Sequence, residues 1–116
     1  MRTLGVELAH MLKARGVGTV FGIPGVHNIE MYRGVEEAGL RHVLARHEQG
    51  AGFMADGYAR ATGLPGVCFV ISGPGLTNIL TPMGQAYSDS VPMLVFATVL
   101  DETSSKRGQL HQMRDQ

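Results

Sequence analysis

Apolar residues recur at intervals of three and four along some stretches of the chain and form short continuous runs along others. Leu4, Leu8 and Leu12 fall on one face of a helix, which we predict to run from about Thr3, as N-cap, to Arg15. Strands and helices then alternate: the predicted strands are 17–23, 42–46, 66–71 and 92–99, and the further predicted helices are 28–38, 48–62 and 76–88. Alternation with short connections favours right-handed βαβ units. We therefore predict an α/β fold, a doubly wound parallel sheet of about four strands with helices on both faces.

Two of the predicted helices contain residues that helices usually avoid. Gly50, Gly52 and Gly57 should each cost about 1 kcal/mol relative to alanine in a helix interior. A contact must offset that cost, and the missing side chains would let another backbone or a flat ligand come close. Pro82, in the last predicted helix, indicates a kink or a late start of that helix.

The composition is that of one globular domain. With 116 residues the chain has room for about one domain with one core. Ten Lys and Arg residues balance ten Asp and Glu residues, so neither nucleic acid nor an anionic membrane is expected as a partner. No stretch reaches the roughly 18 apolar residues of a membrane span, and the N-terminus lacks a compact apolar signal core. A cytoplasmic protein is the expectation.

Charge is distributed unevenly along the chain. Residues 61–100 contain one charged side chain, Asp89, which fits central strands covered on both faces and also suggests an oligomer interface. Cys68 lies in this apolar region and is predicted to be a buried core residue. Six of the residues in 101–116 are charged. We interpret 1–100 as the domain core and 101–116 as a loop or the start of a further helix, which leaves the domain incomplete.

Candidate chemistry is expected where the strands end. In an open parallel sheet, ligands bind outside the carboxyl ends of the strands, and three glycine-rich or polar turns fall there. Glu48 is the carboxylate at the start of a helix on that edge. The helix N-terminus favours its ionised form and an apolar pocket would favour the neutral acid, so it could share a proton with a ligand nitrogen. A solvated acid in the first turn of a helix is the alternative interpretation.

Three known motifs are incomplete in this sequence. The segment His47–Ala51 begins like the helix of zinc proteases but has no second histidine at the i+4 position. Ser72 lacks the glycine that precedes the nucleophile of serine hydrolases, because Val70 occupies that place. In Gly73–Asn78 an asparagine replaces the third glycine of dinucleotide-binding turns, which leaves a weak indication of nucleotide binding. No metal site is predicted, and three histidines have no ligand spacing: His10, His27 and His42.

Four segments of the chain together match a known family. Residues 46–63, with the sequence RHEQGAGFMADGYARATG, closely resemble a helix in the N-terminal pyrimidine-binding domain of thiamine-diphosphate enzymes of the acetolactate synthase and benzoylformate decarboxylase group. Residues 20–25 and 72–78 look like the two glycine turns of that domain, and 89–92 resembles the lead into its fourth strand. The match is collinear over nearly the whole chain.

The resemblance implies a role for Glu48. In this family a glutamate at that position hydrogen-bonds the N1′ nitrogen of the cofactor's aminopyrimidine. Proton sharing there favours the imino tautomer, and the neighbouring N4′ then removes the proton from C2 of the thiazolium. Asn78 is also expected to bind the cofactor. The two glycine turns would border the pyrimidine ring and the substrate cavity through five residues: Pro24, Gly25, Ser72, Gly73 and Pro74.

Three further residues are candidates for the substrate pocket: His27, His111 and Gln112. Acetolactate synthases typically carry Phe-Gln-Glu where this chain has Leu110-His111-Gln112. A histidine there could serve proton transfer in a decarboxylation, as in relatives with active-site histidines. A loop histidine that faces solvent is an equal alternative, so the reaction is left open.

The resemblance also implies cofactors and partners outside this chain. The family anchors Mg2+ and the diphosphate with a Gly-Asp-Gly motif and an asparagine in a separate C-terminal domain, and Asp56-Gly57, inside a helix, is no substitute. The cofactor lies between the pyrimidine domain of one subunit and the diphosphate domain of a second subunit, so a homo-oligomer is implied. FAD is left open, with no residue here in its support.

The resulting hypothesis is the cofactor-pyrimidine-binding portion of a thiamine-diphosphate enzyme that acts on a small 2-keto acid, by decarboxylation followed by protonation or carboligation. This portion alone is expected to be inactive. Two alternatives stay open at the level of sequence. One is a non-catalytic assembly domain or one part of a split enzyme, and the other is a nucleotide-binding doubly wound domain.

Overall fold

The computed structural model describes residues 1–100, 109–113 and 116, and these form alternating helices and strands. The elements in chain order are α1 (Leu4–Ala14), β1 (Thr19–Gly22), α2 (Ile29–Glu37), β2 (Arg41–Leu44), α3 (Glu48–Thr62), β3 (Gly66–Val70), α4 (Pro74–Ser88) and β4 (Met93–Ala97). A 3-10 turn over Val26–Asn28 precedes α2. Every predicted helix and strand is present, although the strands are shorter than predicted. The prediction for 101–116 falls mostly outside the described residues.

The four strands form one parallel sheet in the order β2-β1-β3-β4. Strand β1 pairs with β2 on one side and with β3 on the other, and β4 pairs with β3. The chain therefore leaves β1 toward one edge of the sheet and then returns past β1 to add β3 and β4. This reversal of direction confirms the doubly wound α/β fold.

Two cores lie on opposite faces of the sheet. Residues of β1 alternate between them, since Val20 packs in the core beneath α1 and α2 while Phe21 packs in the core beneath α3 and α4. In β3, Phe69 belongs to the first core and Cys68 and Val70 to the second. All five residues of β3 are buried, as expected of a strand covered on both faces.

Helices α3 and α4 approach closely at one glycine. A Cβ atom on Gly52 would overlap the ring of Pro82, at 2.8 Å from its Cβ, and would lie 3.0 Å from Ile79 Cγ1. This confirms the predicted close approach for Gly52, and the neighbour is a helix. Gly50 and Gly57 instead face open space within the described residues.

Proline enters α4 at two places. The helix begins at Pro74, two residues earlier than predicted, because a proline at the first helical position needs no N–H partner. Pro82 lies inside the helix and is fully buried, so the late start suggested for α4 is wrong. Its ring fills the space that Gly52 leaves on α3.

An ion-pair network joins the far ends of α3 and α4. Arg60 bonds to Asp56 on its own helix and to Asp89 just beyond α4, at 2.6 Å. Asp56 is buried, so a bonded guanidinium offsets part of the cost of its burial.

Among the described residues, no helix is long and apolar enough to cross a membrane.

Substitution of Gly52 by alanine tests the helix contact. We expect Gly52→Ala to lower the free energy of unfolding by about 1–3 kcal/mol, because the new methyl group overlaps the rigid Pro82 ring. Gly57→Ala is the matched control, since its methyl group meets nothing within 4 Å and should raise helix stability by up to about 1 kcal/mol. Thermal and denaturant unfolding measure both. Equal effects of the two substitutions would contradict the packing described here.

Burial makes Cys68 chemically inert. Desolvation raises the pKa of its thiol to about 12, and the nucleophilic thiolate is therefore scarce at neutral pH. We expect iodoacetamide to leave the Cys68 peptide unmodified in the folded protein and to label it fully in guanidinium chloride, as read by mass spectrometry. Stoichiometric labelling of the folded protein at pH 7.5 would show that the second core is open.

Candidate active site at the carboxyl edge of the sheet

The gap between the carboxyl ends of β1 and β3 is the natural ligand site of this fold. Helix α2 follows β1 onto one face of the sheet, whereas α4 follows β3 onto the other face. Among the described residues, no helix covers the edge between the two strand ends, which is the switch point where doubly wound proteins bind ligands. Both glycine turns predicted to border the site begin there.

The turn after β1 is held by a buried asparagine. The Asn28 side chain is 1% exposed; its Oδ1 accepts a hydrogen bond from the Gly25 N–H at 2.8 Å, and its Nδ2 donates to the Ile23 carbonyl at 3.3 Å. The sequence predicted a helix start at Asn28, and Asn28 is the N-cap residue of α2. Its side chain makes no capping bond to that helix and instead fixes the backbone of the turn around Pro24. Asn28 follows Gly25 by three residues, a spacing at which a side chain can reach back to a backbone N–H.

The turn after β3 is shaped by Gly73 and by the side chain of Ile71. Gly73 has φ of +64°, a conformation that favours glycine. Ile71 lies between the two glycine turns, since a Cβ atom on either Gly25 or Gly75 would be 2.7 Å from its side chain. Ile71 was not singled out from the sequence. It separates the two turns by the width of one apolar side chain.

Glu48 begins α3 and lies half-buried between two helices. The ring of the N-cap residue His47 accepts a hydrogen bond from the Gln49 N–H at 3.1 Å, which places Glu48 at the first helical position. Glu48 Oε2 accepts a hydrogen bond from Asn78 Nδ2 of α4 at 3.0 Å. Its Oε1 lies 3.6 Å from the position that a Cβ on Gly75 would take. The carboxylate is therefore fixed by a neighbour on one side and borders a residue without a side chain on the other.

The distance between Glu48 and Asn78 depends on helix packing. Gly52 follows Glu48 by four residues on α3, and Pro82 follows Asn78 by four residues on α4. The Gly52–Pro82 contact therefore lies one turn beneath the Glu48–Asn78 hydrogen bond. Close packing at that level brings the two polar side chains within hydrogen-bonding distance.

A partly buried tyrosine with a buried hydroxyl group lies near this edge. The Tyr32 hydroxyl is buried and has no hydrogen-bond partner among the described residues. Burial first, and then the nearby Cys68 and Glu48 side chains, raise the pKa of Tyr32 far above its ordinary value. The phenol therefore stays neutral at physiological pH. The Tyr32 ring packs edge-on against His42, whose Nε2 lies 3.2 Å from the Gly22 carbonyl.

Ser72 joins the two turns through His27. Ser72 is fully buried, and its Oγ lies 2.8 Å from His27 Nδ1. The Ser72 N–H donates to Thr98 Oγ1 at 3.1 Å, so the residues after β1, β3 and β4 are linked in one network. The His27 ring is edge-on to His111, with ring centroids 5.6 Å apart.

The described residues of the C-terminal segment also contact the β3 turn. The His111 carbonyl lies against Gly73, and the Gly73 N–H donates to Gln116 Oε1 at 2.7 Å. Gln116 Nε2 in turn donates to the Thr98 carbonyl at 3.3 Å. Gln112 belongs to a turn in which its N–H donates to the Gln109 carbonyl at 3.1 Å.

The predicted site residues thus fall into two groups on one edge. Glu48 and Asn78 form the first, beside Gly75, and His27, Ser72 and His111 form the second, while Pro24, Gly25, Gly73 and Pro74 shape the turns beside them. Sequence reasoning missed four participants: Asn28, Ile71, Thr98 and Gln116. Asn28, Thr98 and Gln116 act through side-chain hydrogen bonds that no periodic pattern reveals. Within the described ranges, no group of His, Cys, Asp or Glu side chains is placed to hold a metal ion.

Comparison with known proteins identifies the family of the chain. The family described as thiamine pyrophosphate enzyme, N-terminal TPP binding domain, matches residues 2–116. The chain is 60% identical to the probable 2-ketoarginine decarboxylase AruI of Pseudomonas aeruginosa, over 98% of its own length and 21% of that protein. It is 49% identical to the acetolactate synthase isozyme 2 large subunit of Escherichia coli, with coverages of 75% and 16%. The catalytic subunit of the mitochondrial acetolactate synthase of Saccharomyces cerevisiae is 51% identical, with coverages of 81% and 14%.

These matches agree with one another and with the observed fold. The chain spans about one fifth or less of the length of each of these three relatives. Two kinds of enzyme are represented, synthases and a decarboxylase, and the resemblance first noted on residues 46–63 extends over almost all of the sequence. The chain belongs to the thiamine pyrophosphate enzyme family and corresponds to the N-terminal TPP-binding domain of its members.

Proposed function

We propose that this domain holds the aminopyrimidine of thiamine diphosphate, also called thiamine pyrophosphate, in an enzyme that acts on a 2-keto acid. The observation that carries the proposal is the position of Glu48, half-buried at the switch point with one carboxylate oxygen bonded to Asn78. In this proposal the other oxygen bonds the pyrimidine N1′ and shares a proton with it. The bound cofactor supplies a carbon nucleophile for the keto carbonyl.

The residues around Glu48 fit a flat, polar heterocycle. Gly75 presents only backbone beside Oε1, and Ile71, which fills the place of a Gly75 side chain, offers an apolar surface against which a ring can pack. Pro24, Gly25, Gly73 and Pro74 would line this space with backbone. The Ser72 hydroxyl is already bonded to His27, so Ser72 contributes by holding His27 and the turn.

Glu48 has an environment that suits proton sharing. The N-terminus of α3 stabilises negative charge on the carboxylate, and the Asn78 amide donates to its ionised form. A ligand ring packed on Ile71 would displace water from the carboxyl group, and loss of water favours the neutral acid. A carboxyl group between these influences can hold a proton jointly with a ring nitrogen.

We further propose that other parts of the assembled enzyme complete the site. Mg2+ and the diphosphate would be held by a separate domain of a second subunit in a homo-oligomer. Large apolar side chains exposed on α3 and α4 support such an interface, since Phe53, Leu80 and Tyr87 are 38, 52 and 89% exposed in the isolated chain. The open positions beside Gly57 and Gly84 would let a second helix approach.

The substrate is proposed to be a small 2-keto acid, with 2-ketoarginine as the first compound to test because AruI is named for its decarboxylation. Whether the reaction ends in protonation or in carboligation is not decided by the relatives, which include enzymes of both kinds. Membership of the thiamine pyrophosphate family favours this function over a nucleotide-binding domain. An expected cytoplasmic location stays a prediction, because one relative is mitochondrial.

Glu48→Gln in the full-length enzyme tests the proposed function directly. We expect deuterium exchange at C2 of the bound cofactor to slow by about 100-fold or more, because glutamine cannot share a proton with N1′. NMR of cofactor released from quenched samples measures the exchange. Glu36→Gln, on the exposed part of α2, is the control and should exchange at the wild-type rate. Normal exchange in Glu48→Gln would remove the role assigned to Glu48.

Asn78→Asp tests whether the bond from α4 positions Glu48. Aspartate has nearly the shape of asparagine but cannot donate to the carboxylate, and it adds a like charge beside it. We expect the rate of C2 exchange to fall by at least about tenfold, which is the factor expected when a hydrogen bond to a charged group is lost. Thr77→Ser, on the exposed side of the same turn, is the control. If Asn78→Asp exchanges as fast as the control, the bond has no part in catalysis.

A further inference from the structure

The buried hydroxyl of Ser72 decides where the His27 ring carries its proton. Ser72 is fully buried, and within the described part of the chain its Oγ has one hydrogen-bond partner, His27 Nδ1 at 2.8 Å. A buried hydroxyl needs an acceptor for its hydrogen. If Nδ1–H were to donate to Oγ, the Ser72 hydrogen would have no acceptor among the described residues.

The need of the Ser72 hydroxyl for an acceptor therefore favours one tautomer of His27. The Ser72 hydroxyl donates to an unprotonated Nδ1, which leaves the neutral imidazole with its proton on Nε2. Thr98 Oγ1 accepts from the Ser72 N–H, and no hydrogen bond joins it to Ser72 Oγ among the described residues. One buried serine thus converts the other ring nitrogen of His27 into a hydrogen-bond donor.

That donor is unused among the described residues. His27 is partly exposed, and neither a hydrogen bond nor an ion pair of Nε2 is present within the described ranges. His27 also lines a cavity of about 400 Å3 between α1, α2 and the end of β4, which is separate from the space beside Glu48 and Gly75. His111 packs edge-on against the same ring and limits its rotation.

We propose that His27 is a substrate-binding residue whose Nε2–H donates to a carboxylate or keto oxygen of the 2-keto acid, with its tautomer set by Ser72. This inference rests on the proposed function, since it takes the switch point as the place where the keto acid binds. A 2-keto acid offers only acceptor oxygens at its reacting end, which matches a neutral N–H donor. Ser72 is then a positioning residue that acts through His27.

Two substitutions of His27 separate the roles of its nitrogens. His27→Asn keeps a polar group near the Nδ1 position and loses the donor at Nε2, whereas His27→Gln places an amide N–H near Nε2. In the full-length enzyme we expect His27→Asn to lower kcat/KM for 2-ketoarginine by about tenfold or more, mainly through KM. His27→Gln should stay within about threefold of wild type, and Ser72→Ala should fall between the two.

Cofactor activation is measured alongside substrate turnover. C2 exchange without substrate depends on Glu48, so in His27→Asn it should fall by a smaller factor than kcat/KM, while Glu36→Gln, on the exposed part of α2, should keep both at the wild-type level and is the control. Equal kcat/KM in His27→Asn and His27→Gln would overturn the proposal, as would a parallel loss of C2 exchange, which would show that His27 only holds the turns. Failure of Glu48→Gln to slow exchange would instead overturn the proposed function.

A neutron crystal structure of the full-length wild-type enzyme tests the tautomer without any variant. The expected result is a deuterium on Nε2 of His27 and none on Nδ1, with the Ser72 hydroxyl directed at Nδ1. A deuterium on Nδ1 together with a bare Nε2 would overturn the proposal. This measurement decides the question even if the substitutions prevent folding.

Discussion

The side-by-side placement of β1 and β3, with their following helices on opposite faces, is the constraint on which the site depends. Because α2 and α4 diverge from this pair, neither helix covers the two strand ends, and their glycine turns meet across a gap one side chain wide. Ile71 occupies that gap. The hydrogen bond between Ser72 and His27 then ties the turns together, so neither can move without breaking a buried polar contact.

Two kinds of contact position polar side chains on the two sides of this gap. On one side, tight packing of a glycine against a proline, one turn below, brings Asn78 within reach of Glu48. On the other side, hydrogen bonds alone link His27, Ser72 and Thr98. The first side would activate a cofactor by sharing a proton, and the second would orient a substrate by donating one hydrogen bond. Both depend on side chains from elements that are distant in sequence.

Sequence patterns predicted the helices and strands well, because the signals that define each element are local in the sequence. Periodic apolar residues and the cap at Thr3 indicated helix bounds close to those observed. The late start that Pro82 suggested for α4 was wrong, and the helix begins two residues before the predicted position 76. In the structure that proline is tolerated since its ring fills the hollow at Gly52, a compensation that only the neighbouring helix provides.

The sequence by itself determined the α/β class, the edge proposed to carry the chemistry and the carboxylate on which the proposal rests, because strand ends, helix starts and family motifs are properties of contiguous residues. Only the tertiary structure decided which side chains meet. Asn78 bonds Glu48 from 30 residues away, and Ser72 meets His27 from 45 residues away. Such pairings depend on the order of strands in the sheet and on the spacing of packed helices, and neither is encoded within a local window of the chain.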